Sequence, residues 1–313
     1  LRNLPAAPGS TLARHSFFMK PSRSDFVPVR GLRYHVRLWG DPAAPKLVMV
    51  HGWMDVSASF QFLVDALERD WLVIAPDWRG YGLTDWQGGD AYWFADYVAD
   101  LDFILRHYAP DAPVHLIGHS LGGNVASHYA GARPERIATL TNLEGFGMRR
   151  SSADEAPARY RRFMDELGKT PRLRPYPGFA ALAARMMQDN PRLTQARADF
   201  LARHWGAERD GEVVLLADPA HKTVNGSLWR VDEAAACWAA ITAPTLCVDA
   251  RQSQMLTRWI DAAEYRERLR HFRHLSTATI EDAGHMLQHD QPEQLARLIE
   301  AFIARSEGGP AAP

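Results

Sequence analysis

Apolar positions along this chain fall into two rhythms. Short runs in which nearly every residue is apolar, KLVMV (46–50), WLVIAP (71–76), VHLIG (114–118), IATLTNL (137–143), PTLCVD (244–249) and ATIEDA (278–283), predict strands. Segments 92–108, 122–132 and 292–305 between and after them carry apolar residues at helical spacing. Near-continuous apolar strands joined by helices predict a mostly parallel sheet covered on both faces. Ahead of them, FVPVRGLRYHVRLWG (26–40) alternates about a glycine turn and predicts an antiparallel hairpin at the sheet's edge. From about Phe146 to Ala235 the rhythm stops. No strand run stands out there, but ARYRRFMDELG (158–168) and GFAALAARMMQ (178–188) are spaced as helices, so an inserted helical subdomain is expected rather than a structureless loop.

Composition narrows the class. With 46% apolar residues, 10 Trp and 13 Phe in 313 residues, the chain can fill a large core. The 36 basic and 37 acidic residues are spread along it and nearly cancel, leaving no electrostatic reason to expect nucleic acid or an anionic membrane as partner. No apolar run approaches the roughly 20 residues that span a bilayer. Cys237 and Cys247 match neither a redox pair nor a zinc ligand set, so free thiols, a reducing compartment and a cytoplasmic location are expected, with no metal. Residues 1–18 lack the compact apolar centre of a signal peptide and read as an extension ahead of the fold, and 307–313 read as a disordered tail.

Three motifs carry chemistry. In VHLIGHSLGGN, residues 118–122 spell G-x-S-x-G between a strand and a helix. A serine on so sharp a turn is lifted clear of the sheet. The flanking glycines leave room for the neighbouring backbone, and the helix N-terminus faces the oxyanion that forms on attack. Ser120 is therefore the candidate nucleophile. In VMVHGWMD, the loop after the first parallel strand supplies Trp53, whose backbone N–H, with that of Leu121, matches the two donors that a tetrahedral oxyanion needs. His51 is expected to brace that loop by hydrogen bonds, and the Trp53 side chain to line the pocket. In TIEDAGHMLQHDQPEQLARLIEAFI, a strand ends shortly before His285, which sits on a loop able to approach Ser120 as a general base. The competing histidines nearby, His115, His119 and His289, are expected to be structural.

These motifs in this order, together with PDWRGYGLTD (76–85), resemble the α/β-hydrolase superfamily over roughly residues 26–306. The resemblance implies an α/β-hydrolase fold: an eight-stranded, mostly parallel sheet with helices on both faces and a helical cap inserted after the sixth strand. The core would comprise 19–145 and 236–306, and the cap 146–235. It also implies a Ser, acid, His triad in that chain order, and a structural ion pair for Asp77 and Arg79 in the turn after the second parallel strand. The family often carries its acid after the seventh strand, in a pattern like P-T-L-x-V-x-G-x-x-D, but the matching stretch PTLCVDARQS places Ser253 at the acid position. Some members, including the haloalkane dehalogenase branch and certain lipases, carry it after the sixth strand. Glu144 stands there, flanked by Gly145 and Gly147, and is the candidate acid; Asp249, inside its strand, is the rival. Dehalogenase and epoxide-hydrolase relatives use an Asp nucleophile, which Ser120 argues against.

The expected activity is hydrolysis of a small-molecule carboxylic ester without a cofactor. Amide or carbon–carbon bond cleavage by the same triad stays open, because pocket shape decides between them. A ligand-binding protein of this fold without turnover is the reading from another class.

Overall fold

A computed structural model describes residues 19–308 of the chain, apart from 256, 257 and 259. The expected extension at 1–18 and residues 309–313 of the expected tail lie outside the described residues. Eight strands form one sheet: β1 (Ser22–Val29), β2 (Leu32–Trp39), β3 (Lys46–Val50), β4 (Leu72–Pro76), β5 (Val114–His119), β6 (Ile137–Leu143), β9 (Thr245–Ala250) and β10 (Leu275–Ile280). Their order across the sheet is β1-β2-β4-β3-β5-β6-β9-β10. β1/β2 and β2/β4 pair antiparallel and every other pair is parallel, and β5, which leads into Ser120, lies in the middle of the sheet.

Each face is covered because the central strands are apolar on both sides. On one face, α2 (Phe94–Tyr108), α3 (Leu121–Ala132) and α7 (Val231–Ala240) pack Leu101, Ile104, Val125 and Trp238 with Val48 and Leu116. On the other, α1 (Gln61–Ala66) and the helix Pro292–Ser306 pack Leu63, Leu295, Ile299 and Phe302 with Met49, Ile117 and Val248. Burying such large side chains contributes about 1.5–3 kcal/mol each, and this two-sided core holds the sheet's carboxyl edge rigid under the site.

Three boundaries differ from the sequence reading. The last strand is Leu275–Ile280 rather than 278–283; as an edge strand it leaves Ser276, Thr277 and Thr279 facing solvent or only partly covered, so it lacks an apolar run. It stops where its pairing with β9 ends, at Ile280 opposite Ala250, and Asp282 at φ 52° then turns the chain. The inserted segment is not purely helical. Besides α4 (Ala156–Leu167), α5 (Phe179–Asp189) and α6 (Gln195–Trp205), it holds a hairpin of β7 (Gly206–Arg209) and β8 (Glu212–Leu215). Asp210 and Gly211 both have positive φ at its turn, the Asp-Gly hairpin signal, which a search for apolar runs passes over. Finally, the expected boundary at 235 falls inside α7. Ala234, Ala235 and Trp238 of that helix belong to the core under the sheet, so the insertion ends before residue 231.

The turn after β4 also differs. Asp77 and Arg79 are each paired, but not with one another. Asp77 accepts from His35 Nδ1 at 2.7 Å and from the N–H groups of Ser57 and Leu83. Burial opposes its ionisation, but these partners outweigh that and hold its pKa below the usual carboxylate range. Arg79 instead makes a two-pronged contact with buried Asp100, both bonds 2.6 Å.

Candidate active site

The turn at Ser120 joins β5 directly to α3, and the backbone bears the strain expected of it: Ser120 has φ 53° and ψ −115°. The flanking glycines are required sterically. A Cβ on Gly118 would stand 2.3 Å from the Gly122 carbonyl, and one on Gly122 would stand 2.2 Å from that of Val50. The turn is tied back to the sheet by the Ser120 N–H, which donates to the Leu143 carbonyl at 2.8 Å.

His285 comes from the loop after β10 and Glu144 from the end of β6. His285 Nε2 lies 3.1 Å from Ser120 Oγ, and its Nδ1 lies 2.8 Å from Glu144 Oε2. The structure thus brings Ser120, His285 and Glu144 into one hydrogen-bonded line. Glu144 is 4% exposed and, for a non-glycine residue, sits in the uncommon left-handed region at φ 54°. Its carboxylate is nonetheless fully engaged: Oε1 accepts the Ala250 N–H at 2.8 Å, and Oε2 accepts the Ser253 hydroxyl at 2.5 Å as well as facing His285. Asn142 and Asn124 shape the loop that follows, accepting the N–H groups of Gly145 and Gly147 at 2.7 and 2.8 Å.

Asp249 is not part of this line. It accepts from Tyr265 Oη at 2.6 Å. Burial, only partly offset by that bond and reinforced by the nearby Glu144 charge, raises its pKa to about 6.

Gly52 brings the second loop beside the nucleophile: a Cβ there would stand 3.2 Å from that of Ser120. Leu121 opens α3, so its N–H has no carbonyl partner within the helix, and the helix dipole adds to it. His51 braces the Gly52–Trp53 loop. Its Nδ1–H donates to the Gly52 carbonyl at 2.8 Å and its Nε2 accepts the Trp78 N–H at 2.9 Å, which fixes the tautomer; full burial lowers its pKa to about 4 and keeps it neutral. The Trp53 side chain is 55% exposed, and its indole N–H points to the His221 carbonyl of the inserted segment at 3.4 Å.

The remaining histidines near the site hold structure. His119 Nε2–H donates to the His285 carbonyl at 2.8 Å, and burial keeps its pKa well below the ordinary value, so it fixes the backbone of His285 while staying uncharged. His115 meets Thr139, and His289 is buried against Phe62. Ser253 and His119 are the contributors that motif reading did not assign to the site. Position alone marked Ser253, as the occupant of a slot where an acid was sought. Among the described residues no group of His, Cys, Asp and Glu is arranged to hold a metal, and no helix is long and apolar enough to cross a membrane. Cys237 and Cys247 are both free thiols.

Residues 45–292 match the family model of the alpha/beta hydrolase fold. The chain is 28% identical over 208 residues to a serine hydrolase-like protein of Danio rerio, covering 64% of this chain and 63% of that protein's length. It is 28% identical over 292 residues to a 3-hydroxybutyrate-oligomer hydrolase of Cupriavidus necator, covering 87% and 92%. The thioesterase domain from the curacin biosynthetic pathway superposes with a TM-score of 0.81 at 22% identity, over 90% of this chain and 99% of that domain. With the elbow, the sheet order and the family match in agreement, this chain belongs to the α/β-hydrolase fold family.

Proposed function

We propose that the protein is a serine hydrolase of carboxylic esters, working through a Ser120–His285–Glu144 triad and an acyl-enzyme. The observation that carries this reading is the continuous line from Ser120 Oγ through both ring nitrogens of His285 to Glu144 Oε2. Ser120 Oγ attacks the ester carbonyl as His285 Nε2 takes its proton. Nδ1–H donates to Glu144, whose charge stabilises the imidazolium. The N–H groups of Leu121 and Trp53 receive the oxyanion. Collapse breaks the bond to the alcohol, which leaves with the proton from Nε2. Water, deprotonated by the same nitrogen, then attacks the acyl-enzyme and frees Ser120.

The Cupriavidus necator relative, named for hydroxybutyrate oligomers and matched over nearly its whole length, makes short hydroxyacyl esters the first substrates to try. The inserted segment, with Phe179, Trp205 and Trp229, is read as a lid that sets acyl preference. A fluorophosphonate probe labels Ser120 under this proposal, and Ser120→Ala abolishes both labelling and turnover of p-nitrophenyl esters. Labelling that persists at another residue with turnover intact would overturn it.

A further inference from the structure

The inserted segment touches the site through one residue that motif reading left unassigned, His221, in the single turn Pro219–Lys222. Its imidazole is sandwiched between two phenols of the main fold: Tyr81 at 3.8 Å between ring centroids, with the planes 7° apart, and Tyr92 at 3.7 Å and 25°. Tyr97 Oη faces its Nδ1 at 3.3 Å, and burial lowers its pKa to about 3, so the ring stacks as a neutral imidazole. The stack exists because residue 80 is glycine: a Cβ there would stand 2.2 Å from Tyr92 Oη and 2.6 Å from His221 Nε2. Around it the two parts of the fold are laced by backbone. The Gly82 N–H donates to the Leu216 carbonyl at 2.7 Å and the Asp218 N–H to that of Gly80 at 2.8 Å, while Tyr92 Oη donates to Asp218 at 2.8 Å.

What makes this more than an anchor is where its two ends lead. The His221 carbonyl accepts the indole N–H of Trp53, the residue whose backbone is read as an oxyanion donor. The far side of the stack, Tyr81, meets the His51 ring edge-on at 5.5 Å, and His51 is the brace of the same loop, bonded to the Gly52 carbonyl. The inserted segment thus grips the loop at two points, through the carbonyl of His221 and through its ring.

We infer that His221 is a positioning residue: it ties the inserted segment to the Gly52–Trp53 loop and holds the Trp53 N–H in the orientation the tetrahedral oxyanion needs. This rests on the serine-hydrolase proposal. A group that orients one donor acts in the transition state more than in substrate binding, so its loss lowers kcat rather than raising KM. The effect stays below the roughly 10²–10³-fold cost of deleting an oxyanion donor outright, because the donor remains and only its aim loosens.

The test uses the full chain with p-nitrophenyl butyrate. His221→Ala lowers kcat about tenfold, with KM changed less than about twofold; His221→Phe, which keeps both ring faces and the carbonyl, recovers most of the loss. Trp53→Phe lowers kcat severalfold in the otherwise native protein and adds little on top of His221→Ala, because without the stacked ring the turn no longer holds the 221 carbonyl against the indole. A trifluoromethyl ketone that mimics the tetrahedral adduct weakens in step with kcat/KM. A folded His221→Ala with native kcat, a loss confined to KM, or full additivity of the two changes overturns the coupling. Should His221→Ala fail to fold, a native kcat in Trp53→Phe does the same. Ser120→Ala in the same assay separates the two ideas: turnover that survives there removes the serine proposal itself, whereas an inactive Ser120→Ala beside an unaffected His221→Ala removes only the coupling.

Discussion

The ends of β6 and β9 leave the same edge of the sheet side by side, and each presents a carboxyl group, yet the two meet different surroundings. Glu144 follows β6 in the left-handed region, and its carboxylate meets an amide N–H, a hydroxyl and the His285 ring. Asp249, one residue before the end of β9, has a single phenol donor, and burial raises its pKa to about 6. The difference lies in the donors rather than the depth. The β9 loop brings Ser253 rather than a carboxylate, and its hydroxyl donates to Glu144 at the end of the neighbouring strand. The carboxylate beside His285 thus comes from the β6 loop and not from the β9 loop.

The largest test of that contrast removes the charge and keeps the shape. Glu144→Gln is expected to stay folded by circular dichroism and to lose up to about 10⁴ in kcat, the scale of an amide replacing a triad acid. Retention of most activity would show that Asp249 or another group carries the role. Next comes a transplant: Ser253 Oγ is 2.5 Å from the same oxygen that faces His285, so Ser253→Asp added to Glu144→Gln should restore about 10²-fold of the lost kcat. Failure to recover at all would mean that the β9 loop can feed an acid but not replace it.

Ser253→Ala alone removes one hydrogen bond to a charged acceptor, nominally about 1.5–3 kcal/mol. We expect kcat to fall about tenfold, because two donors to Glu144 remain; steady-state kinetics at saturating ester would show no change if the hydroxyl were idle. The smallest effect on turnover belongs to Asp249→Asn, under about threefold in kcat at neutral pH, and there the informative quantity is stability. The folded pKa of Asp249, about 6, lies above its ordinary 3.8, so between these values the folded state holds the extra proton. Wild-type stability therefore falls as pH rises from about 4 to about 6 and is flat beyond. Asp249→Asn lacks that loss. It should be the more stable protein at pH 7, by on the order of 1–3 kcal/mol, and lose the advantage at pH 4. Urea melts at the two pH values decide it, and an equal or lower midpoint at pH 7 would contradict the burial argument.

The residues legible from sequence share one property: their constraint is local. The glycines at 118 and 122 are required by contacts that the elbow creates among its own neighbours and the adjoining strand, and the apolar runs of β3, β4, β5 and β6 announce strands because both their faces are buried. Glu144 was legible because chain order called for an acid and the expected slot held a serine. β10 was misplaced because an edge strand has one poorly covered face and so no apolar run, and the β7–β8 hairpin was missed because its signal is a turn rather than a hydrophobic stretch.

By itself, then, the sequence determined the fold family and marked Ser120, His285 and a short list of carboxylates as candidates, since the elbow depends on residue type at a fixed spacing along one strand–turn–helix unit. Only the tertiary structure set Glu144 rather than Asp249 against His285, paired Arg79 with Asp100 rather than Asp77, turned the Ser253 hydroxyl to Glu144, and laid His221 between Tyr81 and Tyr92 against the Trp53 loop. Those outcomes depend on the direction in which a side chain leaves the sheet and on which groups, 16 to 168 positions away, meet it there. Hydrogen bonds need a donor–acceptor distance of about 2.7–3.2 Å and near-linear alignment, a geometry that no spacing in the chain encodes.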